Sequence, residues 1–390
     1  MIEQTPNITY IETDQNPKFN GEGAVIPLII GQTGNNINAD DIAVKKYKNI
    51  NAIEASVANG GIGNADTNMS YKFFKQFTDE TYKVHSNDTG LPYVYFIDMG
   101  SIPFSNGEAW SNAFNLAMTK RDIGKLVIVG FKKADASKAI TNNELKEIVG
   151  ILASANGIII EDSKKGKPKR LMFTVDGATD EDMMKITNDE STAYIQKSRV
   201  IPCVPDFFGQ MVARYCLTKY DIEPGYEDFR SVTADDVIER TPDMEEQLQN
   251  AGINFIRKEM EGSNVHAKFC LGVSSSMAAT TRPNDCLPHY RRNVDHLINR
   301  IYTTCYPQLK RNETKATIDM LQTDVNTVVE EEIEAGSMQE GTEVTVEESD
   351  MNPVQLKLKG NAKPVNSTEY IGIEMYISAP DILVVNNTTI

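Results

Sequence analysis

A glycine-rich turn near the N-terminus is the first candidate for chemistry in this sequence. Gly31-Gln32-Thr33-Gly34 follows the apolar run 24–30, which is where nucleotide-binding proteins hold phosphates. A P-loop needs Lys and then Ser or Thr after its last glycine, but Asn35 and Asn36 stand there. The turn also lacks the Gly-x-Gly-x-x-Gly pattern of dinucleotide sites. We therefore predict a plain strand-to-helix turn, with a nucleotide-binding α/β enzyme kept as an alternative.

Metal ligands and nucleophiles are sparse. The best metal candidate joins Cys286 and His289 to His296, but the two histidines lie two helical turns apart, about 10 Å along the axis. One zinc ion cannot bridge that distance, and no Ser or Cys sits in a nucleophile elbow. We expect no enzyme, no catalytic residue, no metal and no cofactor. The cysteines carry no Cys-x-x-Cys spacing and are expected to be reduced, mostly buried thiols: Cys203, Cys216, Cys270, Cys286 and Cys305.

Composition limits the class of protein further. The chain has 390 residues, enough for two domains, and a formal net charge of -16. That charge disfavours nucleic acid as a partner, because nucleic-acid binders present a basic face. No apolar stretch is long enough for a membrane span, and the N-terminus has no signal-peptide pattern. We expect synthesis in a cytoplasm, no membrane insertion, and release by lysis if the protein leaves the cell.

The middle of the chain predicts an α/β fold. Apolar runs typical of strands alternate with segments that repeat apolar residues every three to four positions, and this pattern indicates βαβ units around a largely parallel sheet. The predicted strands are 24–30, 92–97, 126–131, 158–160, 171–175 and 199–204, and the predicted helices are 40–48, 69–77, 108–119, 142–155, 179–186 and 207–218.

After about residue 240 the pattern changes. A helix is predicted at 242–251, strands at 253–256 and 266–273, and two amphipathic helices through 290–305 and 318–333. Residues 330–350 hold nine Asp or Glu and no Lys or Arg, which predicts an exposed, mobile loop. Alternating strands follow at 354–358 and 370–377. The fold class is therefore α/β with α+β character.

Both ends of the chain carry short β-forming segments, 8–11 and 382–385, among turn and linker residues. A strand this short cannot bury itself, so it must pair with a sheet. The sheet can belong to a neighbouring identical subunit, which is strand exchange by β-augmentation, or to the same chain. Composition alone favours the second interpretation, and both stay open.

The second half resembles the tail sheath proteins of contractile phages, pyocin-like bacteriocins and related injection systems. The likeness is greatest at Arg291-Arg292-Asn293-Val294-Asp295-His296-Leu297-Ile298-Asn299-Arg300-Ile301, with Thr280-Thr281-Arg282-Pro283 before it and Tyr306-Pro307 after it. The terminal hairpin 354–377, the tail 382–390 and the N-terminal run into Gly23-Ala24-Val25-Ile26-Pro27 also fit the family. The acidic stretch 334–350 departs from it.

The resemblance implies a domain plan and a role. The plan is an N-terminal arm 1–22, an outer solvent-facing α/β domain 23–241, an inner sheath domain 242–378 and a C-terminal arm 379–390. The arms would complete the inner-domain sheets of neighbouring subunits, so that copies polymerise helically around a tail tube and contract to drive it through an envelope. The partners implied are other copies of the chain, the tube protein, and the baseplate and terminator proteins, within a virion or phage-like particle.

The same resemblance implies two groups of site residues. The arms and the sheet that receives them contain Ile8, Tyr10, Ile11, Val354, Leu356, Leu358, Ile371, Ile373, Met375, Ile377, Leu383, Val384 and Val385. Arg291, Arg292 and Arg300 are either tube-facing or paired with the chain's own acidic surface. A different tail component, such as a baseplate or terminator protein, is the second alternative to a sheath.

Overall fold

The structure is a computed structural model, and it describes a defined part of the chain. The described residues are 28–33, 35–47, 69–84, 94–120, 126–164, 169–188, 199–218, 224–225, 228–261, 263–270, 288–305, 307, 315–348 and 356–365. The predicted arms 1–22 and 379–390 lie outside these ranges, as do the predicted strand 370–377 and Cys286.

A six-stranded sheet organises the first part of the fold. Its spatial order is β2-β3-β1-β4-β5-β6, and every neighbouring pair is parallel except β2 with β3. Its central strands are apolar along their length because both faces are covered, as parallel sheets require. The largely parallel α/β sheet predicted from the sequence is confirmed. The strands are β1 Leu28–Gly31, β2 Val44–Tyr47, β3 Val94–Asp98, β4 Leu126–Lys132, β5 Arg170–Asp176 and β6 Val200–Pro202.

Helices cover both faces of this sheet. They are α1 Met69–Val84, α2 Gly107–Thr119, α3 Asn142–Lys164, α4 Asp180–Asn188 and α5 Phe208–Leu217. The connections through α2, α3 and α4 step across the sheet in one direction, so right-handed crossovers place these helices on one face. The parallel crossover from β1 to β3, which contains β2 and α1, steps the other way. Accordingly α1 packs against α5, with the ring centroids of Phe73 and Phe208 5.3 Å apart.

A helix and a hairpin extend this first unit beyond β6. They are α6 Pro242–Asn250, β7 Phe255–Glu261 and β8 Asn264–Cys270. The backbone of Asn254 continues the sheet, because it donates to Pro202 O and accepts from Val204 N. The carboxylate of Glu80, fully buried on α1, forms an ion pair at 2.9 Å with Arg214 and accepts the backbone N–H of Ser231. This contact holds the segment before α6 against the helices.

The second unit is smaller. It consists of α7 Pro288–Cys305, α8 Lys315–Glu334 and an antiparallel ribbon of β9 Glu343–Glu348 with β10 Leu356–Asn361. The two predicted amphipathic helices are present, and their apolar stripes face each other. The cluster of buried side chains between them is Leu297, Ile301, Val325, Val328, Val329 and Met338.

The packing divides the chain differently from the predicted domain plan. The first buried cluster includes described residues from Leu28 to Cys270, so it contains residues on both sides of the predicted boundary at 241/242. Phe255 and Phe269 of the hairpin belong to the large core and not to the small one. The division that packing favours lies between residues 270 and 288.

Two predictions of local structure are wrong in the first unit. Residues 158–160 are not a strand, because α3 continues to Lys164 and buries Ile159 against the sheet. Residues 40–48 are not a helix. A single 3₁₀ turn at Ala39–Asp41 is followed by β2, whose Lys45 and Lys46 are exposed. Lysines on an outer strand discourage pairing with another chain.

The predicted acidic mobile loop is also wrong. Residues 330–334 are the last turn of α8, and 343–348 are β9. Val344 and Val346 pack against the small cluster while Glu343 and Glu347 point to the other face of the ribbon. Glu330, Glu334 and Glu343 are thus exposed on regular elements, whereas Glu332 is buried. Among the described helices, none has the length and apolar composition needed to cross a membrane.

The close approach of α1 and α5 depends on Gly209. A Cβ at this position would lie 2.5 Å from Phe73 O and 2.5 Å from Gln76 Cβ, far inside normal contact. We predict that Gly209→Ala lowers the free energy of unfolding by about 1–3 kcal/mol through overpacking. Urea unfolding followed by fluorescence of Trp110, the sole tryptophan and fully buried, measures this.

The matched control uses glycines of α3. A Cβ at Gly150 or Gly157 meets nothing within 4 Å. Gly150→Ala and Gly157→Ala should therefore raise the free energy of unfolding by about 0.5–1 kcal/mol each, from helix propensity. An unchanged stability of Gly209→Ala beside these gains would contradict the close helix contact.

Candidate assembly site and the ionic junction beside it

The glycine-rich turn lies where α/β enzymes bind ligands, at the carboxyl ends of β1 and its two parallel neighbours. Its side chains form hydrogen bonds to other residues of the same chain. Gln32 Nε2 donates to Ile102 O at 2.9 Å, and Gln32 Oε1 accepts from Lys132 N at 3.0 Å. The Thr33 hydroxyl donates to the carboxylate of Asp98 at 2.6 Å. These bonds tie the three strand ends together and occupy the polar groups that a ligand would need.

A shallow cleft opens at the carboxyl end of β5, beside the start of α5. Its cavity volume is about 10 Å³, far below the roughly 300–1,000 Å³ typical of small-molecule sites. Lys72, Thr174 and Asp176 line it together with Phe208. The cleft is too small to favour the enzyme alternative.

Of the metal candidates, Cys286 lies outside the described ranges. His296 Nε2 lies 3.4 Å from the Glu332 carboxylate, on the side of α7 that faces α8. Within the described ranges, no group of three His, Cys, Asp or Glu side chains could hold a metal ion. Cys203, Cys216 and Cys270 are buried free thiols, and Cys305 is half-buried, in agreement with the predicted role of the cysteines.

The β9–β10 ribbon is the described part of the predicted strand-receiving sheet. α8 packs on β9, and Val346 of that strand faces the small cluster. Leu358 of β10 is the cross-strand partner of Val346 on this same face, yet it is 44% exposed. Within the described residues, β10 pairs with β9 alone. The core-facing side of β10 is thus left uncovered by α8.

Most of the other predicted arm and sheet residues lie outside the described ranges. Leu356 is the first residue of β10. The predicted residues outside the described ranges are Ile8, Tyr10, Ile11, Val354, Ile371, Ile373, Met375, Ile377, Leu383, Val384 and Val385. Their part in subunit contacts stays a prediction.

The structure describes the side chains of two of the three arginines predicted to be tube-facing or internally paired. Arg291 lies in the first turn of α7. Arg292 is 1% exposed and donates to Thr218 O of the first unit. Arg300 is partly exposed and binds Glu331 and Glu332 of α8. Arg292 and Arg300 thus make internal contacts, and a tube contact stays a prediction for the exposed part of Arg300 and for Arg291.

Glu332 fastens α8 to α7. Its side chain is fully buried, with Oε1 2.6 Å from Arg300 Nη1, and its other oxygen accepts from the Ser337 hydroxyl. Burial alone would raise the pKa of Glu332. Hydrogen bonds from His296, Arg300 and Ser337 outweigh that effect and lower the pKa from 4.5 to about 2. The ionised form is therefore the one that the fold stabilises.

A second buried carboxylate, Asp295, joins α7 to the first unit. It is fully buried, with Oδ1 3.3 Å from Arg199 Nη2 and Oδ2 3.9 Å from Arg170 Nε. Arg199 also donates to Lys169 O at 3.0 Å. Both arginines belong to the β5–β6 region and are at most 4% exposed. Asp295 is thus held by two arginines at the edge of the main sheet.

Tyr215 of α5 completes this contact, which we call the ionic junction and define as Arg170, Arg199, Tyr215, Arg292 and Asp295. The guanidinium of Arg292 lies 4.9 Å from the ring centroid and that of Arg170 lies 5.3 Å from it. Arg170 also donates to the Tyr215 hydroxyl at 2.9 Å. Cation–π contact and hydrogen bonding together orient both arginines.

Sequence reasoning missed the ionic junction. Arg292 and Asp295 stand three residues apart in α7, on the face opposite the apolar stripe that contains Leu297 and Ile301. A polar face next to an apolar stripe normally indicates solvent. The arginine-rich run 291–300 is the available signal, and by itself it predicts a contact with a partner or with the acidic surface.

The lowered pKa of Glu332 predicts a pH effect on stability. A carboxyl with a lowered folded pKa stabilises the protein above its unfolded value, here 4.5, and the stabilisation is lost as the pH falls towards 2. The free energy of unfolding of the wild type should exceed that of Glu332→Gln by up to about 3 kcal/mol near neutral pH. This difference should shrink between pH 4.5 and 2 when measured by urea unfolding and circular dichroism.

Glu330→Gln is the control, because Glu330 is exposed on the same helix. It should leave the stability near the wild-type value at every pH. A difference for Glu332→Gln that does not vary with pH would mean that ionisation of this carboxyl does not support the fold.

Solved structures with the same fold come from contractile particles. A chain of the six-fold symmetrised baseplate of the anti-feeding prophage matches with a TM-score of 0.64 and 12% identity, over 96% of this chain and 99% of that one. The contracted helical sheath of that prophage gives 0.60 and 10%, over 96% and 99%. The sheath tail protein of Desulfitobacterium hafniense gives 0.53 and 8%, over 93% and 97%. Neither a family model nor a curated protein matches the sequence. The chain therefore has, along nearly its whole length, the mixed α/β fold of these sheath and baseplate chains.

Proposed function

We propose that this chain is a structural subunit of a contractile tail sheath and polymerises helically around a tail tube by strand exchange. The fold likeness supports this because it covers both the large first unit and the small second unit. A domain shared with unrelated proteins would give a partial match only. The sheath-like motif at 291–301 adds independent support from the sequence.

The uncovered side of β10 is the observation that carries the proposal. A two-stranded ribbon is marginally stable by itself, and an open strand edge invites a further strand. Leu358 lies on the core-facing side of β10 but is 44% exposed. A strand that is added next to β10 and crosses over this side would bury it. β10 is therefore the strand to which an arm would be added.

The chain offers segments suited to that role. Residues 8–11, 371–377 and 383–385 are short β-formers with apolar residues in alternation or in runs. An arm that leaves its own subunit makes a heterologous contact, which repeats as a helix and does not close on itself. The linker 14–21 has eight residues and spans at most about 28 Å, so an arm could reach a neighbour and re-angle while paired.

The mechanism has no catalytic step. Subunits assemble around the tube in a metastable extended state, and a trigger at the baseplate lets them repack with greater burial. The energy released drives the tube through the target envelope. The self-bonded turn around Gln32 supports a role without nucleotide hydrolysis. Tube, baseplate and terminator proteins are the partners, and the site of action is the tail of a virion or phage-like particle assembled in a bacterial cytoplasm and released by lysis.

A baseplate role is the second candidate, since one matching chain belongs to a baseplate structure. A baseplate or terminator component would form small rings or remain unassembled by itself. A nucleotide-binding enzyme would instead form a closed small oligomer whose melting temperature rises with ligand. Long tubes from this chain alone are expected only of the sheath.

The first prediction concerns self-assembly. The purified chain at high concentration should form long, hollow, striated tubes in negative-stain electron microscopy, and a variant lacking residues 1–20 should not. Regular tubes from the truncated variant would overturn strand exchange through the N-terminal arm. Rings or single particles from the full chain would shift the assignment to the baseplate or terminator role.

The second prediction concerns the uncovered side of β10. Leu358→Lys should abolish tubes or raise the concentration needed for them at least tenfold, because the added strand would have to bury a charge. The unfolding midpoint of the unassembled subunit should not change, since the side chain is 44% exposed. Met320→Lys on α8, at 40% exposure, is the matched control and should assemble normally. Equal assembly of both variants would remove β10 as the receiving strand.

A further inference from the structure

The described part of the second unit has a small core. Within the described residues, a cluster of six buried hydrophobic side chains joins α7, α8 and the ribbon, against more than fifty in the first cluster. Units with so little buried apolar surface usually need another source of stability. The place to look for it is where α7 meets the first unit.

At that place the contact is ionic. The stripe of α7 that contains Leu297 and Ile301 faces α8, and the opposite face presents Arg292 and Asp295 to the first unit. Asp295 is fully buried between Arg170 and Arg199. Tyr215 and the Thr218 carbonyl receive Arg292. The described contacts of this face of α7 are thus made by charged and polar groups.

Such a contact behaves differently from apolar packing. Apolar side chains tolerate sliding, but a buried carboxylate between two arginines is stable in one geometry, because any displacement leaves a desolvated charge. Complete separation of the two units would return the carboxylate and the arginines to water. The junction therefore favours two states, engaged or fully detached, and disfavours partial displacement.

We propose that the ionic junction couples the two cores into one cooperative folding unit, and that Asp295 is the residue on which this coupling depends. The inference is independent of the sheath assignment, since it concerns the isolated subunit. It means that the two units unfold together and move as one body, unless the Asp295 carboxylate is neutralised.

The test follows the two units with separate probes in one urea titration. Trp110 fluorescence reports the first core, in which Trp110 is fully buried, and far-ultraviolet circular dichroism reports the helices of both units. The two transitions should coincide in the wild type, as in two-state unfolding. In Asp295→Asn the dichroism should gain a separate transition at lower urea, while the Trp110 transition keeps nearly its wild-type midpoint. Arg199→Gln breaks the same contact from the other side and should split the transitions too.

Asp319→Asn, an exposed carboxylate on α8, is the control and should leave the transitions coincident. Three results would overturn the proposal. One is a split already present in the wild type. Another is coincidence in Asp295→Asn, with or without a lower midpoint. The third is loss of the native Trp110 signal in Asp295→Asn, which would make the residue a requirement of the first core and not a coupling between cores.

Discussion

The position of the second unit depends on one buried carboxylate. Asp295 enters the edge of the main sheet between Arg170 and Arg199, and α7 follows it there. A buried ion pair adds little net stability compared with apolar packing, but breaking it on one side leaves a charge without water. Its main effect is therefore on geometry. The six-residue core behind α7 supplies cohesion within the unit, and the junction supplies its orientation.

That orientation matters for the ribbon. β9 packs on α8, α8 is fastened to α7 through Glu332, and α7 is fastened to the sheet through Asp295. Each link is a contact between regular elements, so the free side of β10 is held at a fixed place relative to the large core. On the proposed function, a strand added at β10 would pull on this series of contacts. Force at the ribbon would then reach the first unit through buried charges.

The sequence predicted those parts of the fold that depend on local periodicity. The strand–helix alternation identified the parallel sheet, and the stripes of α7 and α8 identified a helix pair. Errors arose where tertiary contacts override local signals. Residues 158–160 look like a strand, but α3 runs on and buries Ile159. The many acidic residues of 330–350 obscured the alternation of apolar and polar residues at 343–347, which forms β9. The helix predicted at 40–48 became an edge strand because β3 offered a partner for Val44–Tyr47.

The charges that hold the fold together were beyond sequence reasoning for a different reason. Asp295 and Arg199 are 96 positions apart, and in a chain with 55 acidic residues no single Asp or Glu stands out. Leu358 was hard to predict for the opposite reason. Alternation predicted a half-exposed strand, but not that the apolar side would be the exposed one. Charged groups normally lie in water and apolar groups in the core. A buried charge and an exposed apolar surface both depart from this rule, and each needs a contact partner. Asp295 has its partner within the subunit, and Leu358, on the proposed function, finds one in the next.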